Sequence, residues 1–168
     1  VGVVPTLSSG TSTVLAGQQC GHGTAQGRHN AHPEQCHDPI VAMAELILAI
    51  QTIVSRRIAP NEPAVVSICM ANSGTAYNII PDGASISASV RSFSEQTRCL
   101  IEQEVHQLTS GICQANGVLG KVTYRRGYPS VVNDTNLAGI ARQVVANRFG
   151  DDKAVEIGPI MPGEDFGY

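Results

Sequence analysis

The clearest periodicity in the chain lies between residues 38 and 57. Ile40, Met43, Ile47, Ile50 and Val54 recur at helical spacing. Asp38 suits an N-cap and Pro39 the first helical position, while Arg56 and Arg57 fall at the negative end of the helix dipole. The pattern predicts an amphipathic helix over 38–57. A period of two governs 84–91: Ala84, Ile86, Ala88 and Val90 form one face, and Ser85, Ser87, Ser89 and Arg91 the other. That is a half-buried strand with one solvated side. Before it, the β-branched run Ala64–Met70 predicts a strand, preceded by the loop prolines Pro60 and Pro63 and followed by Asn72-Ser73-Gly74, a turn or bulge. Ser94 is placed to cap a second helix over 95–115, with Leu100, Val105, Leu108 and Ile112 inward and Gly117 just past its end. Val118–Arg126 reads as a further strand. Asp134 caps a third helix with Leu137, Ile140, Ala141, Val144 and Val145 apolar, Gly150 ends it, and Ala154–Ile157 reads as a short last strand. Residues 1–37 are rich in Ser, Thr, Gly, Gln and His; we expect loop there, with one strand at the start.

With that early strand, the first part of the chain has the order βαββαβ. The fold expected is α+β and ferredoxin-like: a four-stranded antiparallel sheet with helices 38–57 and 95–115 on one face. The third helix and last strand exceed that unit. We therefore expect one domain over 1–126, with 1–26 poorly readable, and a partial α/β segment over 127–168. There is no internal repeat.

Composition narrows the class. At 42% apolar and 15% charged residues the chain is globular in type. A net charge of −3 supplies no phosphate-binding field, so no nucleic-acid partner is expected, and Arg56–Arg57 and Arg125–Arg126 read as solvated pairs. No stretch of 18 apolar residues stands out, so no membrane-spanning helix is expected, and no signal peptide is visible. Five cysteines (20, 36, 69, 99, 113) without compact spacing suggest free thiols and a cytoplasmic setting. The opening on Val1 and the close on Gly-Glu-Asp-Phe-Gly-Tyr lead us to expect a piece of a longer protein.

Several constellations could carry chemistry. Cys20, His22, His29, His32, Cys36 and His37 gather six zinc-type ligands within 18 residues, but the spacing matches no finger pattern, and loop side chains are the simpler reading. The segment Gly74-Thr-Ala-Tyr-Asn-Ile-Ile-Pro-Asp82 would present the Asn78 amide from a bend, suited to a carboxylate or carbonyl; by local chemistry alone a plain turn is the simpler reading. Arg91, flanked by serines on the polar strand face, could clamp a carboxylate bidentately or simply be exposed. Glu164 and Asp165 are paired carboxylates in a Gly/Pro loop, available for acid/base work.

Taken together, these pieces resemble the zinc- or manganese-dependent amidohydrolases and peptidases that include hippurate hydrolase, N-acyl-amino-acid amidohydrolases and plant auxin-conjugate hydrolases. The resemblance runs from about Gly27 to Tyr168. It rests on Asp38-Pro-Ile-Val, Leu48-Ala-Ile-Gln-Thr-Ile-Val-Ser-Arg56, Ala64-Val-Val-Ser, Gly74-Thr-Ala-Tyr-Asn-Ile-Ile-Pro-Asp82, Val90-Arg-Ser-Phe93, Tyr124-Arg-Arg-Gly-Tyr-Pro129, Val132-Asn-Asp134 and Gly163-Glu-Asp-Phe166. It implies a lid domain inserted in a metal-binding catalytic domain and forming a homodimer. The activity implied is cleavage of an N-acyl amino acid or short peptide by metal-activated water. His29 would correspond to the lid histidine that reaches the partner's active site and stabilises the oxyanion. Asn78 would help hold the substrate, Arg91 would grip its carboxylate, and the two would share a pocket. Glu164 would lie beside the catalytic centre. The family's Gly-Gly-His-Ala-Ala-x-Pro-His is here Gly27-Arg-His-Asn-Ala-His-Pro-Glu34, so Arg28 replaces a glycine and Glu34 a histidine. The motifs that bind zinc or manganese would lie outside residues 1–168, so no metal ligand is assigned here. The rival reading is a non-enzymatic interaction or regulatory module of the same fold with structural zinc in 20–37. Upstream Cys/His and Glu-Glu motifs in the flanking sequence would favour the enzyme.

Overall fold

In the computed structural model, residues 8–18, 28–127 and 130–155 are described. Six strands and three α-helices follow in the order β1 (Ser8–Gln18), β2 (Arg28–His29), α1 (Pro39–Thr52), β3 (Ala64–Ser73), β4 (Ile79–Ile80), β5 (Gly83–Ser92), α2 (Glu95–Ala115), β6 (Val118–Arg126) and α3 (Thr135–Phe149). The expected α+β class holds. The main sheet has four strands in the order β3-β5-β1-β6, and every pairing is antiparallel.

The alternation in β5 decides which face packs. Ala84, Ile86, Ala88, Val90 and Ser92 are buried, and the residues between them are half-buried. Both long helices cover that one face. Leu46 and Ile50 of α1, Ile101 and Val105 of α2, Ile53, and Val66, Ile86 and Val90 of the sheet form a single core cluster. Each of these side chains stabilises the fold by about 1.5–3 kcal/mol through removal from water.

Helix α1 begins as the sequence predicts, with Asp38 Oδ1 accepting the Ile40 N–H at 2.8 Å and Pro39 in the first turn. Its last stretch, Ile53–Arg57, widens into a π turn, the Ile58 N–H donating to the Ile53 carbonyl at 3.2 Å. Together the 19 residues Pro39–Arg57 are long and apolar enough to cross a membrane by length and composition, which the sequence reading did not anticipate. Here their inward stripe, Ala42, Leu46, Ile50 and Ile53, is buried within the protein.

The buried line on α2 shares Val105 with the predicted one, and the predicted Leu108 and Ile112 pack against the same core from its side. It runs through Thr97, Ile101, Val105, Thr109 and Cys113, while Leu100, Leu108 and Ile112 flank it half-buried. Threonine fits the interior because the Thr109 hydroxyl donates to the Val105 carbonyl at 2.7 Å. Ser94 caps the helix, accepting the Thr97 N–H at 3.1 Å, and Glu62 Oε1 lies 2.8 and 2.9 Å from the Ser94 and Thr97 hydroxyls. At the other end Gly117 has φ +68°, the left-handed geometry of a helix-terminating glycine. The His37 ring packs over it so closely that an added Cβ would lie 2.6 Å from Cε1 and Nδ1.

Strand β3 runs on through Asn72 and Ser73, with its irregularity between Ile68 and Met70 rather than at the predicted turn. Helix α3 is capped by Asp134, which accepts from Asn136 and Leu137, and it ends at Gly150. Its apolar residues Leu137, Ile140 and Val144 are exposed, and Ala138 alone among its residues is buried. Of the strand expected at Ala154–Ile157, Ala154 and Val155 are not in a strand, and the other two residues lie outside the described residues.

Candidate functional site

A two-residue ladder gathers part of the predicted site. Strand β2 pairs antiparallel with β4, Arg28 opposite Ile80 and His29 opposite Ile79. The Asn30 N–H then donates to the Asn78 carbonyl at 3.1 Å. His29 and Asn78, 49 residues apart in sequence (78 − 29), are thereby held side by side. Arg28 stands in paired strand backbone, so the arginine at this glycine position occupies an ordinary extended conformation.

His29 is exposed, and its Nδ1 accepts the Ala31 N–H at 3.2 Å. With Nδ1 used as an acceptor, the neutral ring carries its proton on Nε2. The side chain therefore presents an N–H donor to whatever lies beyond the surface. That is the tautomer an oxyanion donor requires.

The loop leading into Asn78 turns at Gly74, where φ is +70°. Tyr77 is wholly exposed at its tip and Asn78 is half-buried. Beside them lies an open cavity of about 520 Å³, walled by Tyr77, Ile79, Ile40 and Pro81 with Asn30 and Asp38.

Arg91 is elsewhere. It lies near the far end of β5, opposite Ser9 of β1 and Val65 of β3. Gly83, where β5 starts beyond the Asn78 loop, and Arg91 are eight residues apart (91 − 83) along extended backbone. At ~3.3 Å per residue this is roughly 26 Å. Arg91 and the Gly83 end of β5, into which the Asn78 loop leads, thus stand near opposite ends of the strand. Glu164 lies outside the described residues.

Among its described residues the Cys/His segment does not converge. Cys20 and His22 are outside the described residues. His32 pairs with Glu34 at 3.4 Å, the Cys36 thiol reaches the Pro33 carbonyl at 3.5 Å, and His37 is spent on Gly117. Among the described residues no group of three or more His, Cys, Asp and Glu side chains could hold a metal ion. These described residues do not fit a metal centre.

One ionic cluster escaped the sequence reading, which took Arg125–Arg126 as a solvated pair. Arg126 donates from Nε to Glu102 at 3.0 Å, pairs with Glu95, and lies 3.3 Å from the Cys99 thiol; Arg98 also pairs with Glu95. The Arg98 hydrogen bond, with further help from Cys99 and Arg126, holds the Glu95 carboxyl below its usual range. Burial, and then the nearby Glu102 charge, push the Tyr124 phenol up to about 12. Charge alternation between helix 95–102 and strand residue 126 was the available signal, but it needs the pairing of α2 with β6 to be seen.

A family model described as the peptidase dimerisation domain of the M20 group matches residues 16–114. The chain belongs to that family. The hippurate hydrolase of Campylobacter jejuni is 41% identical over 145 residues, covering 85% of this chain and 38% of that protein. An N-acetyldiaminopimelate deacetylase of Leuconostoc mesenteroides is 38% identical over 173 residues, covering 98% of this chain and 44% of the relative. Among solved structures, a dinuclear metal-binding M20 peptidase of Bacillus subtilis superposes with a TM-score of 0.68 at 25% identity, covering 99% of this chain and 38% of that one. A chain from methicillin-resistant Staphylococcus aureus superposes with a TM-score of 0.82 at 26% identity, over 100% of this chain and 42% of that one. The M20 chain thus spans less than half the length of each of these relatives.

Proposed function

We propose that this chain is the lid and dimer-forming part, with the start of the returning catalytic segment, of a metal-dependent amidohydrolase that cleaves N-acyl amino acids or short peptides. The four-stranded sheet with two helices on one face supports a ferredoxin-like lid over residues 1–126. The exposed apolar residues of α3 support a separate segment from 127 on, whose partner surface belongs to the rest of the enzyme. The divalent metal, zinc or manganese, would be held mostly by residues outside this chain, in a cytoplasmic protein. The lid would contribute binding, orientation and a hydrogen-bond donor.

The observation that carries the reading is the His29 arrangement: an exposed imidazole, its Nδ1 engaged and its Nε2–H free to donate, held beside Asn78. In this reading His29 stabilises the oxyanion in the partner subunit's active site and Asn78 holds the substrate beside it. Arg91 binds the carboxylate. Asn78 lies on the loop that leads into the Gly83 end of β5 and Arg91 near the other end, so in this reading a substrate that meets both lies between two chains. That supports a homodimer as the working unit. Glu164 is assigned a place beside the catalytic centre.

The test uses the full-length protein with metal. His29→Ala should lower kcat by about a hundredfold or more, as loss of an oxyanion donor does. Arg91→Ala should lower kcat/KM on an N-acyl amino acid by about ten- to a hundredfold, the equivalent of one charge-assisted contact. It should do far less to the corresponding amide, which lacks the carboxylate. Equal losses on both substrates would remove Arg91 from the carboxylate role. Full activity in His29→Ala would end the oxyanion assignment.

A further inference from the structure

Eight asparagines occur in the chain, and Asn116 is the one followed by glycine. That pairing leaves a side-chain amide open to attack by its own backbone. With no Cβ on the following residue, little hinders the Gly117 nitrogen from reaching the Asn116 Cγ. The fold cannot avoid the pairing. Gly117 ends α2 at φ +68°, and the His37 ring occupies the space that a Cβ would take.

The same structure guards the amide. Asn116 is half-buried. Its Nδ2 donates to Glu45 Oε2 at 2.8 Å and to the Ile112 carbonyl at 3.0 Å, and the Gly117 N–H donates to the Gln114 carbonyl at 3.2 Å. The Glu45 bond is the long-range one: it spans 71 residues and ties the end of α2 to α1. Ring closure needs the amide to swing off both acceptors and the Gly117 nitrogen to give up its proton. All three bonds must therefore open first, which in the folded chain is a local unfolding of the α2 terminus.

We propose that Asn116–Gly117 is a self-modification site, held dormant by Glu45 and released when the end of α2 comes away from α1. The bond from the Gly117 nitrogen to Cγ forms and the Cγ–Nδ2 bond breaks. The proton lost by Gly117 leaves with the amide nitrogen as ammonia. Water then opens the five-membered imide at one of its two carbonyls, giving aspartate or isoaspartate. Nothing is oxidised or reduced, and water is the one co-reactant.

The product cannot return to the dormant state. Either form adds a carboxylate beside Glu45 and at the C-terminal end of a helix, where negative charge is disfavoured. Isoaspartate also lengthens the backbone next to the His37 ring. The change loosens the α1–α2 junction and the segment that leads back to His29, and so leaves a one-way mark of the time spent open.

The test incubates the full-length protein at neutral to mildly alkaline pH and follows Asn116 by peptide mass spectrometry, which reads the replacement of nitrogen by oxygen. Urea-unfolded protein should convert Asn116 at least about tenfold faster than native protein. Native Glu45→Ala should convert it about two- to tenfold faster than the parent, the worth of one hydrogen bond. Glu45→Gln, which keeps an acceptor oxygen, should stay near the parent rate. Independently, Asn116→Asp should lower the thermal midpoint by about 2–4 °C, and adding Glu45→Gln should recover most of that loss. No conversion in the unfolded protein would remove the site. Equal rates in native and unfolded protein, or a Glu45→Ala rate equal to that of the parent, would overturn the guard. An Asn116→Asp protein with the parent's midpoint would overturn the one-way consequence.

Discussion

Replacing Gly117 with alanine tests how the segment bearing the candidate site is fastened to the fold. Two costs add at this position. With φ at +68° the backbone is in the left-handed region, which costs a non-glycine residue about 1–2 kcal/mol. The new methyl would also lie 2.6 Å from two atoms of the His37 ring and 3.0 Å from a third, far inside contact distance. His37 is exposed, so its ring can swing away, and the second cost is limited to the packing lost. Urea denaturation of Gly117→Ala, His37→Ala and the double variant separates the two. The glycine substitution alone should destabilise by about 2 kcal/mol, and in the His37→Ala background by about 1–1.5 kcal/mol, leaving a coupling of about 0.5–1 kcal/mol. A neutral or stabilising Gly117→Ala would refute the left-handed geometry. A cost that is the same in both backgrounds would refute the ring contact.

Three further outcomes follow from the packing. Ser94→Ala removes the α2 cap and the hydroxyl facing Glu62, and should cost about 1–2 kcal/mol by chemical denaturation; a loss below a few tenths would mean the cap is idle. Ile101→Ala empties a wholly buried site in the shared core and should cost about 2–5 kcal/mol, so a thermal midpoint near that of the parent would contradict the core assignment. Tyr124 ionises near 10 when unfolded and is pushed up to about 12 in the fold, so its contribution is intact below pH 10 and is lost as pH rises from 10 to 12. Denaturation across that range, with Tyr124→Phe as the comparison, should show the parent losing stability more steeply; parallel curves would remove the effect.

Most of the elements were legible because their signals are local. The Asp38 and Ser94 caps, the alternation of 84–91 and the glycine at 117 each act within a few residues, and each stands where the sequence puts it. Strand β1 was expected only as one strand near the start; its bounds were not legible, since Ser8–Gln18 has two glycines and no clean alternation, and it is defined by backbone pairing to β5 and β6 on its two sides. The centre of the α2 face was missed because threonine counts as polar by composition, yet Thr109 is buried with its hydroxyl bonded back to the helix. At the site, the resemblance singled out His29, Asn78 and Arg91. The proximity of His29 and Asn78 was not readable, because it comes from a two-residue ladder and the adjoining Asn30–Asn78 backbone bond, which have no periodicity of their own. The spacing of Asn78 and Arg91 likewise conceals that most of a ten-residue strand lies between them.

The pairing of β1 also governs the order in which the protein can assemble. Its partners are distant: Ser8 meets Ser92 and Gly10 meets Arg126, separations of 84 (92 − 8) and 116 (126 − 10) residues. Neither side of β1 is closed by a hairpin. Closing such long loops costs entropy before any contact repays it, so the sheet condenses late and slowly compared with a fold of local contacts. On the ribosome, β1 emerges among the first residues described here and must wait unpaired until β5 and then β6 have been made. A nascent chain stalled before Val118 would hold β1 with one side still open, a strand edge free to pair with another molecule.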